Sequence, residues 1–227
     1  MNRPENCPSV TVLVCTLNEE KNLHHVLPKI PRWVDEILLV DGHSTDNTVE
    51  VAQEIRPEVK VLYQPNKGKG NALRYGMQQS SGEIIVTLDA DGSTDPENLP
   101  KFIDPLLNGY DFAKGSRFLE GNPTLSRFRR FGNKLFVRMT NILYGTEYTD
   151  LCAGLNALWA RIFPKLDPNG TSALWEPTIN IRLQKHKLKV IEVAQRDNGR
   201  VAGRCEANPL RQGWRILRII IMERFHD

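Results

Sequence analysis

The chain has 227 residues, 40% of them hydrophobic and 25% charged, with 30 Lys/Arg against 27 Asp/Glu. That size and balance support a buried core without help from disulfides or metals, which excludes disordered, collagen-like and disulfide-scaffold classes. The net charge of +3 does not suit a bulk nucleic-acid binder, but it is uneven: residues 182–227 hold eleven Lys/Arg and five Asp/Glu, so an anionic partner near the C-terminal part stays open.

Strand-like apolar runs recur through the first half, at Val10–Val14, Glu36–Val40, Lys60–Tyr63, Glu83–Leu88 and Asp111–Ala113. Helix-like stretches separate most of them, at Glu19–Leu27, Ser44–Ile55, Gly68–Gln79 and Pro96–Leu107, the last behind Asp95 as N-cap. Short continuous apolar runs alternating with helices predict an α/β fold with a mainly parallel sheet covered on both faces. Ligands bind such sheets at the carboxyl ends of the strands. The second half is less regular. Ser126–Leu143 reads as a long helix, Thr149–Asn156 as part of a loop, Glu176–His186 as a helix and Leu188–Val193 as a strand. Asn198–Asn208 is a further loop and Pro209–Phe225 a basic helix. One domain over residues 1–227 is the simplest organisation.

None of Cys7, Cys15, Cys152 and Cys205 stands in a Cys-x-x-Cys pair or at zinc-ligand spacing with histidine, so the cysteines read as reduced, mostly buried thiols. No apolar stretch follows Met1 and none approaches the ~18 residues of a membrane span. A cytoplasmic location is therefore expected, with peripheral contact at a membrane surface left open.

Chemistry concentrates where apolar runs end. Thr87-Leu88 leads straight into Asp89-Ala90-Asp91-Gly92. In an extended Asp-x-Asp the two carboxylates lie on one side, where hard oxygens suit Mg²⁺ or Mn²⁺. Asp95 already accounts for the next helix cap, which leaves Asp89 and Asp91 for another task. The first strand ends in Thr16-Leu17-Asn18-Glu19 and the second in Asp41-Gly42-His43-Ser44, polar groups able to meet a nucleoside. Asp41 suits a base N–H, whereas Ser44 reads as a helix cap. Lys67-Gly68-Lys69-Gly70 combines glycine with positive charge but lacks the Ser or Thr of a Walker loop. Arg117 follows the fifth apolar run, where a lone arginine reads as a surface or ion-pair residue, and Asp150 stands in a weakly polar loop, where it reads as a cap or an ion-pair partner unless it serves the chemistry.

In their order, Thr16–Glu19, Asp41–Asp46, Lys67–Ala72, Asp89–Gly92, Lys114–Phe118 and Asp150–Gly154 resemble the family-2 glycosyltransferases, in particular the dolichyl- or polyprenyl-phosphate mannosyltransferase-like branch. The resemblance covers roughly residues 9–205. It implies the glycosyltransferase A fold, a Rossmann-like sheet whose first half (about 9–120) binds a GDP- or UDP-sugar while the second (about 121–227) serves the acceptor. It also implies inversion by direct displacement. Carried over, Thr16, Asn18, Glu19 and Asp41 would hold the nucleoside, with Lys69 near nucleotide or phosphate. Asp89 and Asp91 would hold the metal on the diphosphate, and Ala90 would pack by the ribose. Arg117 would meet a donor or acceptor phosphate, and Glu176 falls in an acidic stretch before a helix.

Where many relatives have a further Gln ligand, Ser93 stands here, which leaves a third protein ligand open. The stretch that usually carries a histidine reads Arg200-Val201-Ala202-Gly203. The Gln-x-x-Arg-Trp motif of processive synthases is absent, which argues against polymer synthesis. The acceptor is expected to be a polyprenyl phosphate or a small molecule. An alcohol would need a base, for which Asp150 is the first candidate, whereas a phosphate would not. A nucleotide-sugar pyrophosphorylase-like nucleotidyltransferase is the alternative, although Thr16–Asn22 lacks the glycine such enzymes usually carry there.

Two basic helices complete the reading. Arg127, Arg130, Lys134 and Arg138 run beside an apolar stripe of Phe128, Phe131, Leu135, Met139 and Ile142. Arg211, Arg215 and Arg218 oppose Leu210, Trp214, Leu217 and Ile221. Each pattern fits either an ordinary amphipathic helix with a solvated basic face or a surface for anionic headgroups.

Overall fold

The computed structural model describes residues 2–119, 121, 124–166, 175–203 and 208–225. The first three strands, β1 (Val10–Thr16), β2 (Glu36–Asp41) and β3 (Lys60–Tyr63), pair in parallel, and β4 (Ile84–Asp89) pairs in parallel on the other side of β1. Beyond β4 come β6 (Asn156–Trp159), β5 (Phe112–Ser116) and β7 (Val190–Ala194), giving the order β3-β2-β1-β4-β6-β5-β7. β6 runs antiparallel between β4 and β5, and β7 is parallel to β5. The sheet is thus mainly parallel, as the apolar runs predict.

The interior strands have no polar face because helices cover both sides. On β1, Val10, Val12 and Val14 join one core with α1 (Glu20–Val26), α2 (Thr48–Ile55) and α4 (Leu99–Leu107). The intervening Leu13 joins the opposite core with α3 (Lys69–Gln79), a short α6 (Phe163–Leu166) and α7 (Trp175–Lys185). The alternation is the period of two expected of a pleated strand. A third cluster, containing Val137, Tyr148, Leu151, Ile181, Ile216 and Ile220, joins α5 (Arg127–Tyr144) and α8 (Pro209–Met222) to α7.

Local signals explain most boundaries. Asp95 accepts the Glu97 amide and Pro96 opens a short 3-10 turn into α4. Ser126 caps α5, and Gly145 ends it at φ 67°. Ser44 does not cap α2: the helix starts at Thr48, and Asp46 takes the Thr48 amide and hydroxyl. β6 begins at Asn156, inside the stretch expected to be a loop. Cys7, Cys15 and Cys152 are free thiols, and burial pushes Cys15 and Cys152 up to about 12. Cys205 lies outside the described residues.

Candidate active site

A cleft of ≈ 290 Å³ opens at the carboxyl ends of β1, β2 and β4. Cys15, Thr16, Leu17 and Glu19 line it from β1, with Gly42 and Gln64 beside them. Asp89, Ala90 and Asp91 close the β4 side, Gly68, Lys69 and Ala72 come from the start of α3, and Arg200 reaches in from the loop after β7. Gly68 turns into α3 at φ 105°, a backbone shape that only glycine adopts without strain.

Charge is paired across the cleft. Lys69 Nζ lies 2.7 Å from Asp89 Oδ1 and 2.5 Å from Glu176 Oε1 in the first turn of α7. Burial disfavours its charge, but these two carboxylates outweigh that and hold the ammonium well above its ordinary value. Arg200 Nη2 donates to Glu19 Oε2 at 2.6 Å, and its Nη1 stands 3.8 Å from Asp91 Oδ2. Burial pushes the Glu19 carboxyl up against the bonds from Asn22 and Arg200 that oppose it. The cleft therefore has a cation on each side of the Asp89–Asp91 pair.

Other sequence-singled residues hold the cleft's frame. Asp41 is fully buried and accepts the Ser44 amide at 2.8 Å, the Ser44 hydroxyl at 2.6 Å and the Thr16 hydroxyl at 3.2 Å. Those bonds place it beneath the turn after β2, not as an open acceptor facing the cleft. Asn18, at φ 56°, donates its amide to Ser44 Oγ and accepts the Thr45 amide, clipping the β1 and β2 loops together. Ala90 is buried at the cleft wall.

Asp150 departs furthest from expectation. It is fully buried, and Arg117 donates to it from Nε at 2.7 Å, from Nη2 at 2.9 Å and from its backbone amide at 3.2 Å. Burial would raise its carboxyl, but the Arg117 guanidinium outweighs this and holds it below the ordinary range. A carboxylate so stabilised is a poor proton acceptor, which corrects its assignment as a base in favour of an ion-pair partner. The same pair occupies the Nε and Nη2 donors of Arg117. Glu192 fixes the surrounding loop: it accepts the Thr149 amide and hydroxyl and pairs with buried Lys114 at 2.8 Å.

Glycosyl transferase family 2, as a family model, matches residues 11–166. The chain belongs to that family. This glycosyltransferase is 29% identical over 216 residues to a dolichyl-phosphate hexose transferase of Haloferax volcanii, covering 93% of this chain and 92% of the relative. It is 38% identical over 119 residues to a dolichol-phosphate mannosyltransferase of Pyrococcus furiosus, covering 49% of this chain but only 34% of that relative. The polyprenyl-phosphate branch resembled in sequence is thus the one its relatives occupy. A glucosyl-3-phosphoglycerate synthase from Mycobacterium tuberculosis, solved with Mn²⁺, UDP-glucose and phosphoglyceric acid, shares the fold at TM-score 0.74 and 20% identity, over 96% of this chain and 79% of that one. The glycosyltransferase A fold expected from the sequence is the fold found.

In this glycosyltransferase the residues that sequence reasoning left out of the site are Arg200, Gln64 and Gly154. Arg200 stood in a recognised stretch but carried no assigned role. Gln64 gave no sequence signal. Gly154 lies under Asp89, where an added Cβ would collide with the Asp89 carboxylate, so the carboxylate occupies space that only glycine leaves.

Proposed function

We propose that this glycosyltransferase moves a hexose from a nucleotide-sugar to a polyprenyl phosphate, inverting the anomeric carbon in one displacement. The observation that carries the reading is the Asp89–Asp91 pair at the carboxyl end of β4, flanked by Lys69 and Arg200. Carboxylates and cations meeting at the mouth of a parallel sheet suit a nucleoside diphosphate. The uncharged stretch from Thr16 and Leu17 to Gly42 and Gln64 has room for the nucleoside.

The two aspartates fit a divalent cation. Both are part-exposed to the cleft, with hard oxygen donors two residues apart, and Gly154 leaves the room Asp89 uses. Among the described residues no third His, Cys, Asp or Glu joins them, which suits Mg²⁺ or Mn²⁺ completed by phosphate oxygens and water. When bound, such an ion supplies stabilisation of the negative charge on a leaving diphosphate. Lys69 and Arg200 add positive charge from the protein itself and fix where the phosphates lie. Asp41, Ser44 and Asn18 keep the nucleoside wall rigid. With Asp150 locked to Arg117, an acceptor that is already an anion meets the chemistry best, because it needs no base. The acceptor class has independent support in the name of the Haloferax relative, which matches this chain nearly end to end.

The test is transfer from GDP- and UDP-hexoses, with Mn²⁺ or Mg²⁺, to a polyprenyl phosphate and, in parallel, to a small phosphorylated acid. Release of nucleoside diphosphate with a lipid-linked sugar is expected. Pyrophosphate release would establish a nucleotidyltransferase instead, and product from the small acid alone would reassign the acceptor. Asp89→Ala and Asp91→Ala should each lower turnover by roughly 10²-fold or more with melting unchanged, removal of metal by chelator should do the same, and full turnover in chelator would dismiss the cation.

A further inference from the structure

Gln64, the first residue past β3, is only 6% exposed and borders the cleft. Its backbone is fixed: the amide donates to Asp41 O at 3.0 Å, and the carbonyl accepts from His43 Nε2 at 3.0 Å. The His43 ring in turn stacks on Tyr63, with centroids 5.9 Å apart. The carboxamide is another matter. Among the described residues it bonds to none. A polar group withdrawn from bulk water without a partner lowers the stability of the free protein. Such a group calls for an explanation, and a ligand that completes its bonds supplies one.

Away from the charged groups, the described residues of the cleft include no other strong hydrogen-bonding side chain left open. Leu17 and Ala72 are apolar, Gly42 has no side chain, and Cys15 brings a thiol that bonds weakly. The Thr16 hydroxyl is taken by Asp41 at 3.2 Å, and the Asp41 carboxylate is itself held by Ser44. An added Cβ at Gly42 would stand 3.3 Å from Gln64 Nε2 and 3.2 Å from Thr16 O, so glycine keeps the space beside the carboxamide clear. Lys69 and Arg200 stand against Asp89 and Asp91 at the end of β4, three strand positions from β3. Three strand spacings come to about 14 Å, close to the length of a nucleoside diphosphate. Phosphates among those charges put the base at Gln64.

We propose that the Gln64 carboxamide reads the base of the donor nucleotide, pairing its C=O and N–H with a lactam edge, the adjoining N–H and C=O that guanine and uracil both present. This assignment rests on the nucleotide-sugar donor proposed above and names the group that selects it. Asp41, expected from the sequence to meet a base N–H, instead supports the residue that does, through the bond from the Gln64 amide to Asp41 O. A site built this way discriminates because a base without the matching edge leaves the buried carboxamide unpaired.

Isothermal titration of the whole chain with GDP, UDP and pyrophosphate, each with Mg²⁺, tests the assignment. Gln64→Met keeps the side-chain length and removes both bonding groups. It should weaken whichever nucleoside diphosphate the unaltered chain prefers by about 10-fold, the effect of losing one or two neutral hydrogen bonds, while pyrophosphate changes by less than about twofold. No protein group loses a partner, so the ligand-free variant should melt at or above the parent. Gln64→Glu separates the two bases. A carboxylate accepts from both N1–H and N2–H of guanine, but on uracil it meets one N–H between two carbonyls. The ratio of GDP to UDP affinity should therefore rise by about 10-fold or more. Should the Met variant fail to fold, that ratio decides alone. Unchanged nucleotide affinities in both variants overturn the assignment and leave the donor class standing. An equal loss for pyrophosphate also overturns it, as a change of cleft shape, and so does lower melting with affinity intact, which would make Gln64 a structural residue. An unaltered chain that binds neither GDP nor UDP removes the donor reading itself, and the assignment with it.

Discussion

A carboxylate that takes up a proton in a reaction must be able to let go of its other partners, and Asp150 cannot do so cheaply. Removing its charge strands the Arg117 guanidinium in a mostly buried setting. Breaking one half of a buried ion pair costs about 3–5 kcal/mol. Asp150→Asn is therefore expected to lower the melting temperature by on the order of 10 °C, taking about 2–4 °C per kcal/mol for a protein of this size. Unchanged melting combined with lost turnover would return Asp150 to the role of base. The sequence shows both residues, Arg117 as a lone arginine after an apolar run and Asp150 in a weakly polar loop, and leaves base, cap and ion-pair partner open for Asp150. Arg117 and Asp150 are 33 residues apart, and only the adjacency of the fifth strand to the 149–154 loop brings them together. Asp89 and Asp91 were legible for the opposite reason: their meaning lies in two adjoining features, an apolar strand and its end.

Glu36 shows how strands are tied at the end of the sheet away from the cleft. At the start of β2 it accepts the Thr11 hydroxyl of β1 at 2.7 Å, the Ser81 amide before β4 at 2.9 Å and Lys60 of β3 at 2.8 Å. Burial opposes the charge, but these bonds from Lys60, Ser81 and Thr11 bring the carboxyl down to about 2. A folded value below the unfolded one stabilises the fold in full above about 4.5, and the gain is lost as pH falls toward 2. Glu36→Gln should cost about 2–3 kcal/mol near neutral pH, and the gap from wild type should close on acidification through that window. Urea melts at neutral pH and at about pH 3 check it; a gap that stays constant removes the ionised carboxylate as the cause. At this scale the sequence is informative where strands are long and apolar on both faces. It failed at β6, four residues between a glycine loop and a helical turn, because so short a run shows no period and its strand character comes from pairing with β4 and β5.

Over the whole molecule, sequence patterns located the stripes of α5 and α8 without saying which face meets the core. Periodicity reports that an apolar face exists; the packing of α7 against α5 and α8 decides which one is used. The same holds for the loop after β7. Asn198 donates its amide to Ser93 O at 2.9 Å, Val201 to Asp91 O at 3.0 Å and Ala202 to Asn22 Oδ1 at 2.8 Å. Through these bonds the C-terminal half is laced onto α1 and the turn after β4, and Arg200 becomes part of a cleft otherwise built from the first half of the chain.

If Arg200 marks the phosphate end of that cleft, its removal should weaken a nucleoside diphosphate more than the bare nucleoside. Ligand at about 100 times its dissociation constant stabilises the folded state by about 2.7 kcal/mol. For a chain of this length that is roughly 5–11 °C in melting temperature. Arg200→Ala should cut the shift given by GDP or UDP to less than about half while leaving the smaller shift of guanosine or uridine nearly intact. Arg200→Lys should fall between, since it keeps a charge but loses the planar fork that meets Glu19 and faces Asp91. Thermal melts with each ligand and Mn²⁺ measure all three proteins side by side. Equal diphosphate shifts in wild type and Arg200→Ala would move the phosphates away from Arg200 and toward Lys69, which holds Asp89 from the other wall.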